Sequence, residues 1–136
     1  MKHPRPLAGS KIVAEVGRSL GSDEVERTQL IKRISLVRRK EGMSRDAFVA
    51  HWMGAHADIV RQLPGLRGLR LGVVHRWSPE DLAWDGVGEL WFDSIALAEQ
   101  ALSTEPYRSQ LIEDRNEFVG ELQYCIVEEH TVVKPP

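Results

Sequence analysis

Hydrophobic and polar positions alternate most cleanly over residues 31–38. Lys32, Ile34, Leu36 and Arg38 fall on one side there, and Ile31, Arg33, Ser35 and Val37 on the other. A period of two predicts a strand. The pattern changes after the Lys40-Glu41-Gly42 turn. Ser44 can accept a hydrogen bond as an N-cap, and Asp46 complements the dipole of the first turn. Phe48, Trp52, Ile59 and Leu63 then lie at about 0°, 40°, 20° and 60° on a helical wheel of about 100° per residue. A helix to about residue 63 follows, closed by Pro64 and Gly65.

Residues 67–74 read as a second strand, weakened by Gly68 and Gly72. Residues 76–85 contain Pro79 and two tryptophans and read as a loop, and 87–92 as a third strand. Ser94 caps a helix to about residue 102. Pro106 opens another that carries Tyr107, Leu111 and Phe118 and ends at Gly120. A final strand over 122–133 stops at Pro135-Pro136.

The order β-α-β-β-α-β, with its second helical segment split in two, is the ferredoxin-like arrangement of the α+β class. It predicts a four-stranded antiparallel sheet with helices on one face. The third strand carries Gly88, Leu90 and Phe92 on one side and Val87, Glu89 and Trp91 on the other, so neither face is simply polar. A sheet face with apolar residues and no helix needs a partner surface, which predicts a homodimer packed sheet against sheet. Residues 1–29, with Pro4, Pro6, Gly9, Gly17 and Gly21, read as an arm appended to a domain over 30–136.

Composition narrows the function. A formal net charge of −2 gives no electrostatic case for nucleic acid or an anionic membrane. The single cysteine, Cys125, excludes an intramolecular disulfide and reads as a small buried hydrophobe. No apolar run reaches membrane-spanning length, and no secretory signal is evident, so the expected compartment is the cytoplasm.

The candidate chemistry centres on His56, at about 80° on the apolar stripe of the first helix. A polar ring there is either a core residue satisfied by backbone or water, or a functional group able to move protons near neutral pH. His51, at about 300°, falls off the stripe and is expected in solvent. Its spacing of five from His56 argues against a metal pair, and no metal or cofactor is expected. Gly86-x-Gly88 lacks the third glycine of a dinucleotide fingerprint. His75, at the end of the second strand, is a candidate second polar group. Asp85 is read as serving the turn before the third strand, or bordering a pocket mouth. Trp77 and Trp84 either cover a pocket or anchor their loop.

Several segments resemble the EthD-like group of dimeric α+β barrel proteins. They are Phe48-x3-Trp52-x3-His56-Ala57, then Leu63-Pro64-Gly65-Leu66, then 85–92 (DGVGELWF) and 127–133 (VEEHTVV). The resemblance covers about 30–133. It implies a ferredoxin-like protomer, a sheet-to-sheet dimer and a small pocket between sheet and helices. Members of that group include a methylmuconolactone methylisomerase and decarboxylases or dehydratases of aromatic polyketides, and fold alone does not choose among them. The family histidine falls on His56. The tyrosine and cysteine that assist it in the methylisomerase branch are Leu69 and Leu90 here, and Cys125 lies in a different strand.

A pocket lined by Phe48, Trp52, Ile59, Leu90 and Phe92, with His75 near it, suits a small hydrophobic or aromatic molecule. The expected function is a cofactor-free lyase or isomerase with His56 as general acid/base, performing a proton shift, dehydration or decarboxylation. The alternatives are a non-catalytic ligand-binding or accessory protein, and a cofactor-independent oxygenase.

Overall fold

The computed structural model describes residues 30–136, so the arm expected over 1–29 lies outside the described residues. Strand β1 spans Ile31–Arg39. The first helical segment comprises α1 (Arg45–His51), a π-helical turn (Trp52–His56) and α2 (Ala57–Val60). Then come β2 (Gly68–Val73), a 3-10 turn (Glu80–Leu82), β3 (Gly86–Phe92), α3 (Ile95–Ser103), α4 (Tyr107–Phe118) and β4 (Val119–Glu128). The strands form one sheet in the order β2-β3-β1-β4, with β3 antiparallel to both β1 and β2. This is the ferredoxin-like architecture. Residues Ile31–Val127 form one compact unit, and Leu30 with Glu128–Pro136 falls outside it.

Local chemistry sets the element ends. The Ser44 hydroxyl accepts from the Ala47 N–H, and the Ser94 hydroxyl from the Leu97 N–H, both at 3.1 Å. Each satisfies an amide that a helix start leaves unpaired. Asp85 accepts from the Arg39 backbone N–H and guanidinium, both at 2.8 Å, and so fixes the end of β1 against the start of β3. Gly120 does not end a helix. It lies inside β4, where an added Cβ would stand 2.7 Å from the Arg39 carbonyl oxygen, a close strand approach that needs a bare backbone. The final strand stops at Glu128, five residues short of the expected end. Cys125 is exposed rather than buried, because it sits on an edge strand among exposed neighbours.

The first helix departs from the regular wheel. Its buried apolar positions are Phe48, Trp52, Ala57, Val60 and Leu63, whereas the wheel gave Phe48, Trp52, His56, Ile59 and Leu63. The π turn accounts for the shift. Its hydrogen bonds span five residues, so the position that follows Trp52 on the inner face is Ala57, and the stripe continues one residue late.

Along β3, Gly86, Gly88, Leu90 and Phe92 are buried and alternate with half-buried residues, as period-two burial requires. The core has two clusters. Val60, Leu63, Leu90, Phe92, Ala98 and Ala101 form one, and Val37, Phe48, Trp52 and Phe118 the other. Trp52 leans directly on the backbone of β3. A Cβ added at Gly86 would lie 2.4 Å from its indole, so the Asp85-Gly86 pair serves strand geometry and tryptophan packing.

Gly86→Ala should therefore lower unfolding free energy by about 1–3 kcal/mol, the usual cost of overpacking a rigid buried group. Gly54→Ala, where a Cβ meets nothing within 4 Å, should stay within about 1 kcal/mol of the parent. Urea unfolding of the two variants checks the contrast.

Candidate active site

Between the two core clusters lies a cavity of about 430 Å³, in the range typical of small-molecule sites. The sheet supplies one wall, including Arg33, Ser35, Leu71, Gly88 and Leu90, and the helices supply the other, including Trp52, His56 and Phe118. Gly88 has no side chain and Ser35, its cross-strand partner, has a small one. The space above that pair is left unfilled.

The π turn brings His51 and His56 to a common partner. On a regular wheel a spacing of five sets them about 140° apart, but in a π turn residues five apart approach one another. His51 Nε2 lies 2.7 Å from Asp114 Oδ1, and His56 Nδ1 lies 2.8 Å from Asp114 Oδ2. An ionised carboxylate only accepts, so both of these ring nitrogens carry the proton. Both rings also pack on Phe118, with centroids at 4.6 Å for His51 and 5.1 Å for His56. His51 is thus a half-buried partner of the site and not a solvated residue. Among the described residues no cluster of three or more His, Cys, Asp or Glu could hold a metal ion.

With Nδ1 committed to Asp114, His56 keeps Nε2 as its acceptor, on a ring that borders the cavity. Burial is the main influence on this imidazole and lowers its pKa; hydrogen bonding and attraction from Asp114 raise it, and the neighbouring His51 lowers it. The net shift is downward, so His56 is neutral at pH 7 and able to take a proton.

Of the residues expected in the pocket, Trp52, His56 and Leu90 border the cavity. Phe48 and Phe92 are fully buried in the two clusters, Ile59 sits one position off the inner stripe, and His75 is exposed at the end of β2; none of these four borders it. Asp85 serves β1 and β3, as above. Trp84 is buried beneath the Arg38 guanidinium, 4.3 Å from its ring, and anchors its loop. Neither it nor Trp77 lines the cavity. Asp114 was missed. It had a legible signal, because Tyr107, Leu111, Asp114 and Phe118 recur at helical spacing and place a carboxylate within the apolar stripe of α4.

A family model described as the EthD domain matches residues 40–121. No curated protein sequence matches the chain. Among solved structures, an ethyl tert-butyl ether d (EthD) family protein from Bacillus halodurans aligns with a TM-score of 0.62 at 26% identity, over 74% of this chain and 98% of that one. A dimeric protein of unknown function with a ferredoxin-like fold from Bacteroides fragilis aligns with a TM-score of 0.57 at 12% identity, over 73% and 95% of the two chains. A hydroxynitrile lyase from Passiflora edulis aligns with a TM-score of 0.58 at 14% identity, over 79% and 99%. These last two likenesses are of fold alone.

The His56 imidazole should titrate below the ordinary histidine value of about 6.5, and Asp114→Asn, which removes the influence that raises it, should move it lower still. Nitrogen-15 NMR of labelled histidine reads both shifts. The stability consequence has a definite sign. Below about pH 6.5 the unfolded chain protonates first, so this residue's contribution is complete above that pH and is lost as pH falls toward the folded value.

Proposed function

The chain belongs to the EthD domain family, and on that premise we propose that it is a cofactor-free lyase or isomerase acting on a small aromatic or polyketide-like molecule. The observation that carries this reading is the Asp114–His56 pair at the wall of the cavity. A base needs a fixed tautomer, a pKa not far from working pH and an apolar space for the reactant. Asp114 fixes the tautomer and favours the imidazolium once it forms. The surrounding Trp52, Val60 and Leu90 suit a flat hydrophobic ring.

The chemistry is a proton out and a proton back. His56 Nε2 takes a proton from an acidic C–H or O–H of the bound molecule, and the electron pair left behind moves into the conjugated system. The imidazolium then returns the proton. Delivered to another carbon, it completes an isomerisation; delivered to a departing hydroxyl, it completes a dehydration. A decarboxylation ends with the same nitrogen protonating the ring carbon that has lost carbon dioxide. The fold likeness to a hydroxynitrile lyase supports the capacity of such a scaffold for lyase chemistry.

The protein also acts as a homodimer on this reading. Support comes from the dimeric relative from Bacteroides fragilis. Light scattering after gel filtration should give twice the chain mass, and a monomer mass at micromolar concentration would reject the dimer.

Proton exchange at C1 of 2-tetralone in deuterium oxide, followed by NMR, tests the catalytic reading. The wild-type protein should accelerate exchange, and His56→Ala should lose about 10²–10⁴-fold of that rate while still binding the ketone. Asp114→Asn should lose less. Equal rates in the wild type and His56→Ala would sink the assignment, and binding without acceleration would favour a ligand-binding protein.

A further inference from the structure

Beyond His56, the cavity contains a charge with no counterpart among the described residues. Arg33 projects from β1 into it, half-buried, on the same sheet face as Ser35 and Leu90. Its Nη1–H donates to the Ser35 hydroxyl at 2.6 Å, and its guanidinium lies over the Tyr124 ring at 4.1 Å. Neither partner is a carboxylate. Among the described residues no carboxylate lies within ion-pair distance of it, although most other arginines of the sheet have one, as Arg38 has Glu121 and Arg39 has Asp85.

A second guanidinium, Arg115 of α4, borders the same cavity and likewise has no ion-pair partner among the described residues. Arg108 also borders it but sits 3.7 Å from Glu105. Among the described residues the one acidic side chain on the lining, Glu99, is exposed on α3 and pairs with none of these. Burial is the main influence on Arg33 and lowers its pKa; Tyr124 opposes this and the like charge of Arg115 adds to it. The guanidinium nevertheless stays charged at neutral pH. A partly desolvated cation beside a second cation is an unfavourable arrangement that an incoming anion relieves.

We infer that the cavity takes an anionic ligand, an aromatic carboxylate whose carboxyl group is gripped by Arg33 with Arg115 beside it. The planar guanidinium matches a carboxylate through paired N–H donors. Stacking on Tyr124 and the bond to Ser35 hold the fork in place before the ligand arrives. The Ser35 hydroxyl, having accepted from Arg33, keeps its own proton to donate. The apolar middle of the cavity, with Trp52 and Leu90, then receives the ring. This deepens the proposed function by naming the substrate class, and it rests on the cavity as a ligand site but not on proton transfer by His56.

Isothermal titration with 2-naphthoate and its neutral isostere 2-naphthamide tests the inference. Wild-type protein should bind the carboxylate at least tenfold more tightly. That advantage should shrink when potassium chloride rises from 50 to 500 mM. Arg33→Gln should bring the two ligands within about threefold of each other, and Arg115→Gln should remove part of the preference. His56→Ala should keep it. Equal affinity of the two ligands for the wild type, no naphthoate binding at millimolar concentration, or an undiminished preference in a folded Arg33→Gln protein would each overturn the inference. The wild-type comparison needs no variant, so a misfolded Arg33→Gln protein leaves it decisive. Loss of carboxylate preference with 2-tetralone exchange intact removes the anion site alone; the reverse removes proton catalysis alone.

Discussion

The Asp114 carboxylate, bonded on one oxygen to His51 and on the other to His56, is the contact around which the helical layer is arranged. It joins α4 to the π turn of the first helical segment across an apolar layer that includes Phe118. A largely buried carboxylate with no partner would destabilise the fold, and two short hydrogen bonds offset its desolvation. The same two bonds set the tautomers of both imidazoles. The tie between the helices and the orientation of both rings thus draw on one group. Removing it leaves two rings free to reorient and removes the tie between the helices.

The π turn makes this contact possible. A regular helix would hold the two histidines on different faces, and one carboxylate could not reach both. Widening the turn by one residue brings them together, and it also moves Ala57 and Val60 inward while leaving His56 at the edge of the apolar layer. The histidine therefore borders the cavity instead of packing within the apolar stripe. Irregular turns of this kind concentrate at functional sites because they place a side chain where a regular helix cannot.

Much of the fold was legible because it depends on local rules that hold here. Period-two alternation located β1 and β3, and Ser44 and Ser94 announced their helices through side-chain geometry at single positions. The site was less legible. The expectations for His51 and Ile59 assumed about 100° per residue, and nothing in the Trp52–His56 segment announces a π turn beyond a glycine that tolerates one. Phe48 and Phe92 are on the inner faces that periodicity assigns them. Periodicity cannot distinguish an inner residue that packs from one that borders a void, since that depends on the size of its neighbours. Asp114 and Arg33 differ again, being polar residues on inward faces. Asp114 interrupts the apolar stripe of α4, whereas both faces of β1 mix polar and apolar residues, so Arg33 did not stand out.

The two walls of the cavity have different physical characters, and the difference follows from how each is built. On the sheet wall, β1 is hydrogen-bonded on both sides, between β3 and β4. A cation on that wall can be held in one orientation by its neighbours, as Arg33 is by Ser35 and Tyr124. The helical wall carries His56, whose orientation comes from a side-chain contact between two helical segments. The proposed anion grip thus lies on the sheet wall and the proposed base on the helical wall. Both converge on a space that exists because Gly88 and Ser35 leave the middle of the sheet unfilled.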